Sequence, residues 1–313
     1  MPEIPKPVEP SEPTPPEPAP KVTPDGHPGP ALPQGLILVA TPIGNLADLA
    51  PRAAAALRAA DLVLCEDTRT TARLLSHGGI AARTEALHDH NEEARIPALL
   101  ARLAAGARIA LVSDAGTPLV SDPGFRLTRA AIAAGLPVTA IPGPNAAVMA
   151  LTLSGLPPQP FLFLGFPPPR SAARRAAFGQ LRAAEHAGLS ATLIWHEAPH
   201  RLAETLADLA GSFGSRPAAV ARELTKRFEE VRRGSLDELA AFYAATPARG
   251  EITLVVGPPE PDTGDAANLD TLLHQALQTG TVKDAAALVA AATGLPRKTV
   301  YARALELSRP EET

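Results

Sequence analysis

The sequence predicts an α/β protein of two α/β domains, the first on a mostly parallel sheet and the second on a mixed one, followed by a small helical module. Three observations carry this. From Gly35 onward, short apolar runs alternate with Ala-rich stretches long enough to be crossover helices. The rhythm changes after the proline-dense GLPPQP at 155–160. The 313 residues, 45% of them apolar, exceed one typical domain and suffice for two modest cores.

Residues 2–34 hold 13 of the 35 prolines, mixed with Glu and Lys. That composition buries too little apolar surface to offset ordering entropy, so residues 1–34 are expected to form a disordered tail. The stretch has neither an apolar signal-peptide core nor an Arg-rich amphipathic pattern. The first α/β domain is expected over 35–155, with strands in LILVA (36–40), LVLC (62–65), TEALH (84–88), RIALVSD (108–114) and PVTAIP (137–142). PRAAAALRAA, with Pro51 in its first turn, is one of the crossover helices between parallel strands.

A boundary near Leu156 opens the second domain, 156–258, with strands FLFLGF (161–166), ATLIWHE (191–197), AVARELT (219–225) and EITLVVG (251–257). Only a few residues separate AVARELT from EEVRRGS (229–235), a spacing for antiparallel neighbours. After PPEPDTGD, a module at 266–309 is expected to hold helices at about 266–278, 281–292 and 296–308. The last two have helix-turn-helix spacing, and Arg297, Lys298, Arg303 and Arg309 decorate the final one.

Lys and Arg number 29 against 33 Asp and Glu, a net charge of -4 that neither advertises nucleic acid nor excludes it. The single cysteine, Cys65, excludes an internal disulfide and a cysteine-based zinc site. No apolar run approaches the roughly 20 residues that span a bilayer. A cytoplasmic protein without membrane association is expected.

The chemistry-bearing motifs fall after strands. SDAGTPLVSDPG (113–124) joins a strand to a helix, and its glycines and prolines hold a backbone shape few residues permit, with Asp114 and Asp122 adding carboxylates. Such a loop suits a ligand with hydroxyls or positive charge, as a nucleoside sulfonium has. TPIGNL (41–46) and PGPNAA (142–147) leave strands the same way, with Asn145 placed as a helix cap. CEDTRTT (65–71) sets Glu66, Asp67 and Arg69, and LHDHNE (87–92) sets His90 and Asn91, on the same rim. Asp67 alternatively caps its helix. The His-Asp-His-Asn run is a weak metal pattern and no metal is expected. WHEAPHR (195–201) and ARELTKRFEE (221–230) bring further charges to strand ends, and Arg170, Arg174 and Arg175 form a basic segment for a phosphate-rich partner.

TPIGNL, EDTR, LHDHNE, SDAGTPLVSDPG, PGPNAA, GLP, the HE-PHR pair and ARELTK, in this order over residues 35–258, resemble the RsmI family of small-subunit ribosomal RNA cytidine 2′-O-methyltransferases, in the tetrapyrrole methylase superfamily. The final helices resemble that family's C-terminal helical module more loosely. Asn145 departs from the smaller residue usual there, and the proline-rich extension lies outside the pattern. The resemblance implies S-adenosylmethionine held between the domains by Pro42, Asp114, Gly116, Thr117, Ser121, Gly143 and Asn145. It implies Glu66, Asp67 and Lys226 as catalytic candidates. Arg69, His90, Asn91, Arg170, Arg174 and Arg175 are the RNA-binding candidates, for 16S ribosomal RNA within the small subunit. A homodimer is the expected assembly. The rival readings are a tetrapyrrole carbon methylase and a non-catalytic RNA-binding module.

Overall fold

The computed structural model describes residues 33–259, 263–293 and 295–308; the expected tail at 1–32 and Arg309 lie outside the described residues. The first unit alternates β1 (Gly35–Val39), α1 (Pro51–Ala59), β2 (Leu62–Cys65), α2 (Thr68–His77), β3 (Thr84–Ala86), α3 (Asp89–Ala104), β4 (Arg108–Val112), α4 (Phe125–Ala133) and β5 (Val138–Ile141), then α5 (Ala146–Ser154). A single 3-10 turn, Leu46–Asp48, precedes α1. All five strands are parallel, in the order β3-β2-β4-β1-β5, with Ile37 opposite both Ala110 and Thr139. The central strands β1, β2 and β4 are largely apolar on both faces because helices cover both, giving one core around Ile37, Val39, Leu57 and Val63 and another around Leu36, Leu64, Leu103 and Leu127.

This strand order locates a crevice. Leaving β1, the chain passes over β4 to reach β2, whereas leaving β4 it passes over β1 to reach β5. Adjacent strands whose connections depart in opposite directions make a switch point, where parallel sheets open for ligands at their carboxyl ends. The loops that open there are 40–45 and 113–124.

The second unit holds β6 (Phe161–Phe163), α6 (Ser171–His186), β7 (Thr192–Glu197), α7 (Leu202–Phe213), β8 (Pro217–Arg222), β9 (Glu230–Ser235), α8 (Leu236–Ala245) and β10 (Ile252–Val256). Its sheet runs β6-β7-β10-β8-β9, parallel only between β6 and β7. Along β7, Trp195 faces a core with Phe178, Leu206 and Leu254, and its neighbour Ile194 faces the opposite side, where Ala147, Ala150 and Leu151 of α5 cover it.

The expected division near Leu156 places α5 with the first unit in sequence; in space AAVMALTLS, which has almost no polar face, packs on β7, β8, β9 and β10. The three terminal helices, α9 (Thr263–Leu277), α10 (Val282–Thr293) and α11 (Arg297–Leu307), close on their own small core of Leu273, Ala286, Val289, Val300 and Ala304.

Candidate active site between the two sheets

Two loops at the carboxyl edge of the first sheet are tied to each other by the main chain, and a side chain adds a third. Thr41 N–H donates to the Gly116 carbonyl at 2.8 Å, and Gly116 N–H donates back to the Thr41 carbonyl at 3.1 Å, bridging the loops after β1 and β4. The Ser113 hydroxyl donates to the same Gly116 carbonyl at 3.1 Å. Gly116 sits at φ +83°, and an added Cβ would lie 3.2 Å from Ile43 Cγ2 and 3.5 Å from the Pro144 carbonyl oxygen. The position thus demands glycine on both counts. Because Gly116 N–H is spent on Thr41, it is not the free ligand donor that the loop sequence suggests.

Further along, Leu119 and Ser121 hold φ of 70° and 68°, left-handed values that cost non-glycine residues energy. Two more such residues, Glu223 (53°) and Thr225 (65°), lie in the loop after β8. All four belong to segments flanking a single cleft. The Thr117 hydroxyl donates to the Pro144 carbonyl at 3.2 Å, and Asn145 accepts from Val148 N–H at 3.1 Å as the cap of α5. Gly124 offers α4 no side-chain cap, so the buried Glu92 of α3 supplies it, accepting from Leu127 N–H at 2.8 Å. The LHDHNE motif thereby anchors the far end of the 113–124 loop.

A cavity of about 360 Å³ lies between the sheets. The first unit contributes Ile43, Gly116, Thr117, Ser121 and Asp122, and the second contributes Phe166, His196, Leu224, Glu251 and Thr253, with Asn145 and Ala146 at the junction. His196 faces in because it alternates with core-facing Trp195; its Nδ1 lies 3.1 Å from Thr253 Oγ1, and its ring meets Phe163 and half-exposed Phe166. Burial pulls the His196 pKa below the ordinary value, favouring the neutral ring.

Electrostatics single out one wall residue. Burial, then the nearby Glu66 and Asp114 carboxylates, pushes Asp122 up to about 7. Glu66 is raised too, by burial and then by Asp114 and Asp89. Asp67 goes the other way, to about 2, because its carboxylate takes Arg69 Nε and Nη2 at 3.1 and 2.7 Å and caps α2 through Arg69 N–H at 2.8 Å. Partial burial lowers Lys226, but hydrogen bonds to Glu223 at 2.9 Å and to Glu251 at 3.1 Å outweigh it and hold the ammonium above its ordinary pKa.

Of the residues expected to hold a cofactor, Gly116, Thr117, Ser121 and Asn145 line the cavity, whereas Pro42, Asp114 and Gly143 are not among its wall residues. Among those expected to bind RNA, Arg69, His90, Arg170 and Arg175 are exposed. Asn91 is committed to a capping box, accepting from His88 N–H at 3.0 Å and donating to the Ala86 carbonyl at 3.3 Å. Arg174 is a correction: its side chain is 0% exposed and pairs with Asp208 at 2.6 Å and Glu204 at 3.1 Å. It faces α7 because the helical period turns it inward between exposed neighbours on α6. Phe166, His196, Glu251 and Thr253 are among the wall residues absent from the expected set, and Asp122, noted in the sequence for its carboxylate, has no role in that set; strand alternation past Trp195 is the sequence signal that would have found His196.

Two α/β units with a ligand-sized cavity at a switch point, and irregular loops gathered there, define a two-domain α/β protein with a small-molecule cleft. The chain belongs to the tetrapyrrole (corrin/porphyrin) methylase family, which matches residues 35–240, and residues 263–308 match the RsmI C-terminal HTH domain. It is 48% identical to the ribosomal RNA small subunit methyltransferase I of Mesorhizobium japonicum, over 90% of this chain and 94% of the relative. The Micromonospora olivasterospora protein of the same name is also 48% identical, covering 85% of each chain. Among solved structures, diphthine synthase superposes with a TM-score of 0.55 at 17% identity, covering 71% of this chain and 90% of that one. The methyltransferase CobJ gives 0.53 at 19% identity, covering 72% and 94%, and both show the shared fold alone.

Proposed function

We propose that this chain transfers the methyl group of S-adenosylmethionine to the ribose 2′-hydroxyl of a cytidine in 16S ribosomal RNA of the small subunit. The observation that carries the reading is the near full-length likeness to ribosomal RNA small subunit methyltransferases, C-terminal helical module included. The site's chemistry supports the cofactor. A cavity of about 360 Å³ falls in the roughly 300–1,000 Å³ range of small-molecule sites. Ile43, Ala221, Leu224 and Ile252 offer apolar wall to a purine, Thr117, Ser121 and Asn145 offer polar groups to hydroxyls, and Asp122 offers a carboxyl to a cation.

Bound S-adenosylmethionine supplies a methyl already activated on a sulfonium. The protein's share is then to position the attacking hydroxyl and take its proton. Asp122 suits the second task, since a carboxyl near 7 is a better base than one near 2. Glu66 beside it keeps that pKa high. Asp67 serves by capping α2 and holding Arg69, and Lys226, which stays protonated, serves as a fixed cation on the rim. Arg69, His90, Arg170 and Arg175 are left for RNA phosphates. A cytoplasmic homodimer completes the reading; no helix among the described residues is long and apolar enough to cross a membrane, and exposed Phe125 and Ile132 on α4 give a second copy apolar surface to cover.

Mapping 2′-O-methylation on ribosomal RNA from cells lacking the protein tests this. One small-subunit cytidine should lose its methyl and regain it when the purified protein and S-adenosylmethionine are added. An unchanged methylation map sinks the reading.

A further inference from the structure

The loop between β8 and β9 carries a feature that the methyl-transfer chemistry does not use. Phe228 at its tip is 66% exposed, more than any other large apolar side chain described. The Arg227 guanidinium lies over its ring, 5.5 Å from the centroid, and makes no ion pair among the described residues. A singly exposed aromatic ring is ordinary in itself; what sets this one apart is the arginine over it and the backbone that presents it.

Fraying does not account for this exposure. Glu229 N–H donates to the Lys226 carbonyl at 3.1 Å and Lys226 N–H to the Glu223 carbonyl at 3.0 Å, while Thr225 N–H takes Glu229 Oε2 at 2.6 Å. Thr225, a β-branched residue, is held at φ 65°. The loop is also braced against the first unit: Asn45 N–H donates to Thr225 Oγ1 at 3.1 Å, and the Lys226 stem packs so closely on Gly44 that an added Cβ there would lie 2.4 Å from Lys226 Cγ. Lys226 ties it to Glu251 at 3.1 Å. A strained, cross-braced turn thus holds Arg227 and Phe228 outward, four residues from Leu224 in the cavity wall. Four residues reach at most roughly 14 Å.

We propose that Phe228, with Arg227 beside it, is the platform on which an unpaired base of the RNA substrate stacks next to the nucleotide that enters the cleft. The inference rests on the reading of the chain as an RNA methyltransferase. Bases pulled out of a helix are held by stacking on aromatic rings and guanidinium planes, and an unpaired arginine adds phosphate attraction. A preformed platform loses little entropy on binding.

The test uses the full chain, labelled S-adenosylmethionine and small ribosomal subunits from cells lacking the modification. Phe228→Ala should raise KM for subunits about 5- to 100-fold, the range of a lost base stack. Its kcat at saturation, S-adenosylmethionine affinity and melting temperature should stay at wild-type levels. Phe228→Trp should restore KM, and its new indole should be quenched when subunit RNA is added, against the constant signal of buried Trp195, the only natural tryptophan. Wild-type transfer with an unchanged Phe228→Ala KM overturns the platform alone. A variant that sediments as a smaller species makes Phe228 a contact between copies and overturns it too. If the wild type binds S-adenosylmethionine but methylates no subunit RNA, the functional reading falls and the platform falls with it.

Discussion

The Asp114 carboxylate accepts the main-chain N–H of Asp67 at 3.1 Å, so the loops leaving β4 and β2 are fastened at their first turn. Two motifs 47 residues apart in sequence are one object in space. The fastening gathers Glu66, Asp67, Asp114 and Asp122 at one rim, where burial and then the neighbouring carboxylates raise Glu66 and Asp122. Asp67 escapes that trend through Arg69. What looks in the sequence like a pair of adjacent acids is thus split into one that is firmly ionised and one that is raised.

Asp67→Asn measures that split. Asn caps a helix about as well as Asp, and the pair with Arg69 is solvent-exposed, so the melting temperature should be nearly unchanged. Methyl transfer should remain within about threefold, because a carboxylate held at about 2 contributes little as a base. Single-turnover transfer and thermal melts check both. A loss of about 100-fold at unchanged stability would return Asp67 to the reacting atoms.

Gly116→Val should lose cofactor binding and destabilise the fold together. The sequence alone suggests a variant that keeps its fold, since the loop reads as a ligand cradle. The structure adds the left-handed φ, the 3.2 Å approach to Ile43 and the two-way bridge to Thr41. A branched residue there should cost on the order of 1–3 kcal/mol. Calorimetric titration with S-adenosylmethionine and a denaturant melt on one preparation test it; full binding by a stable protein would show the loop to be tolerant.

Much of this architecture is legible in the residues. Alternating apolar runs and Ala-rich helices locate all five strands of the first sheet, and the short β8–β9 connection reveals the antiparallel part of the second. The set of strand-end loops is readable because parallel strands must present their carboxyl ends together. What does not show is long-range hydrogen bonding: nothing local says that Gly116 N–H goes to Thr41 or that Glu92 caps α4. The Pro-rich GLPPQP marks a real turn, but packing rather than composition shows α5 against the strands of the second unit.

Two arginines of the 170–175 basic segment should behave differently. Arg174→Ala breaks a buried pair with Asp208 and should cost about 3–5 kcal/mol, whatever the substrate. Arg170 is exposed, so Arg170→Ala should leave the melting temperature unchanged and reduce the salt dependence of subunit RNA binding by about 0.7–0.9 in log-log slope, one phosphate contact. Binding titrations at several salt concentrations decide; an unchanged slope removes Arg170 from the interface.

Asp122→Asn separates catalysis from stability through pH. The carboxyl is raised from 3.8 to about 7 by burial and by Glu66 and Asp114, so between those values the folded state binds a proton that the unfolded state has released. Stability from this group therefore falls as pH rises from about 4 to about 7. Asn cannot titrate, so relative to the wild type the variant should gain stability as pH rises from about 4 to about 7 and hold a constant difference above that. Activity should move oppositely. If the ionised carboxyl takes the hydroxyl proton, wild-type single-turnover transfer should climb with pH through about 7 and then level, and Asp122→Asn should lose on the order of 100-fold or more and flatten the climb. Affinity for S-adenosylmethionine should be nearly kept, since the amide preserves shape at the wall. Melts and transfer rates from pH 5 to 8.5 on both proteins give the two curves. A variant that gains stability on the wild type between about pH 5 and 7 while keeping the wild-type rate profile would confirm the raised carboxyl and remove it from proton transfer, leaving Glu66 as the remaining raised acid on that rim.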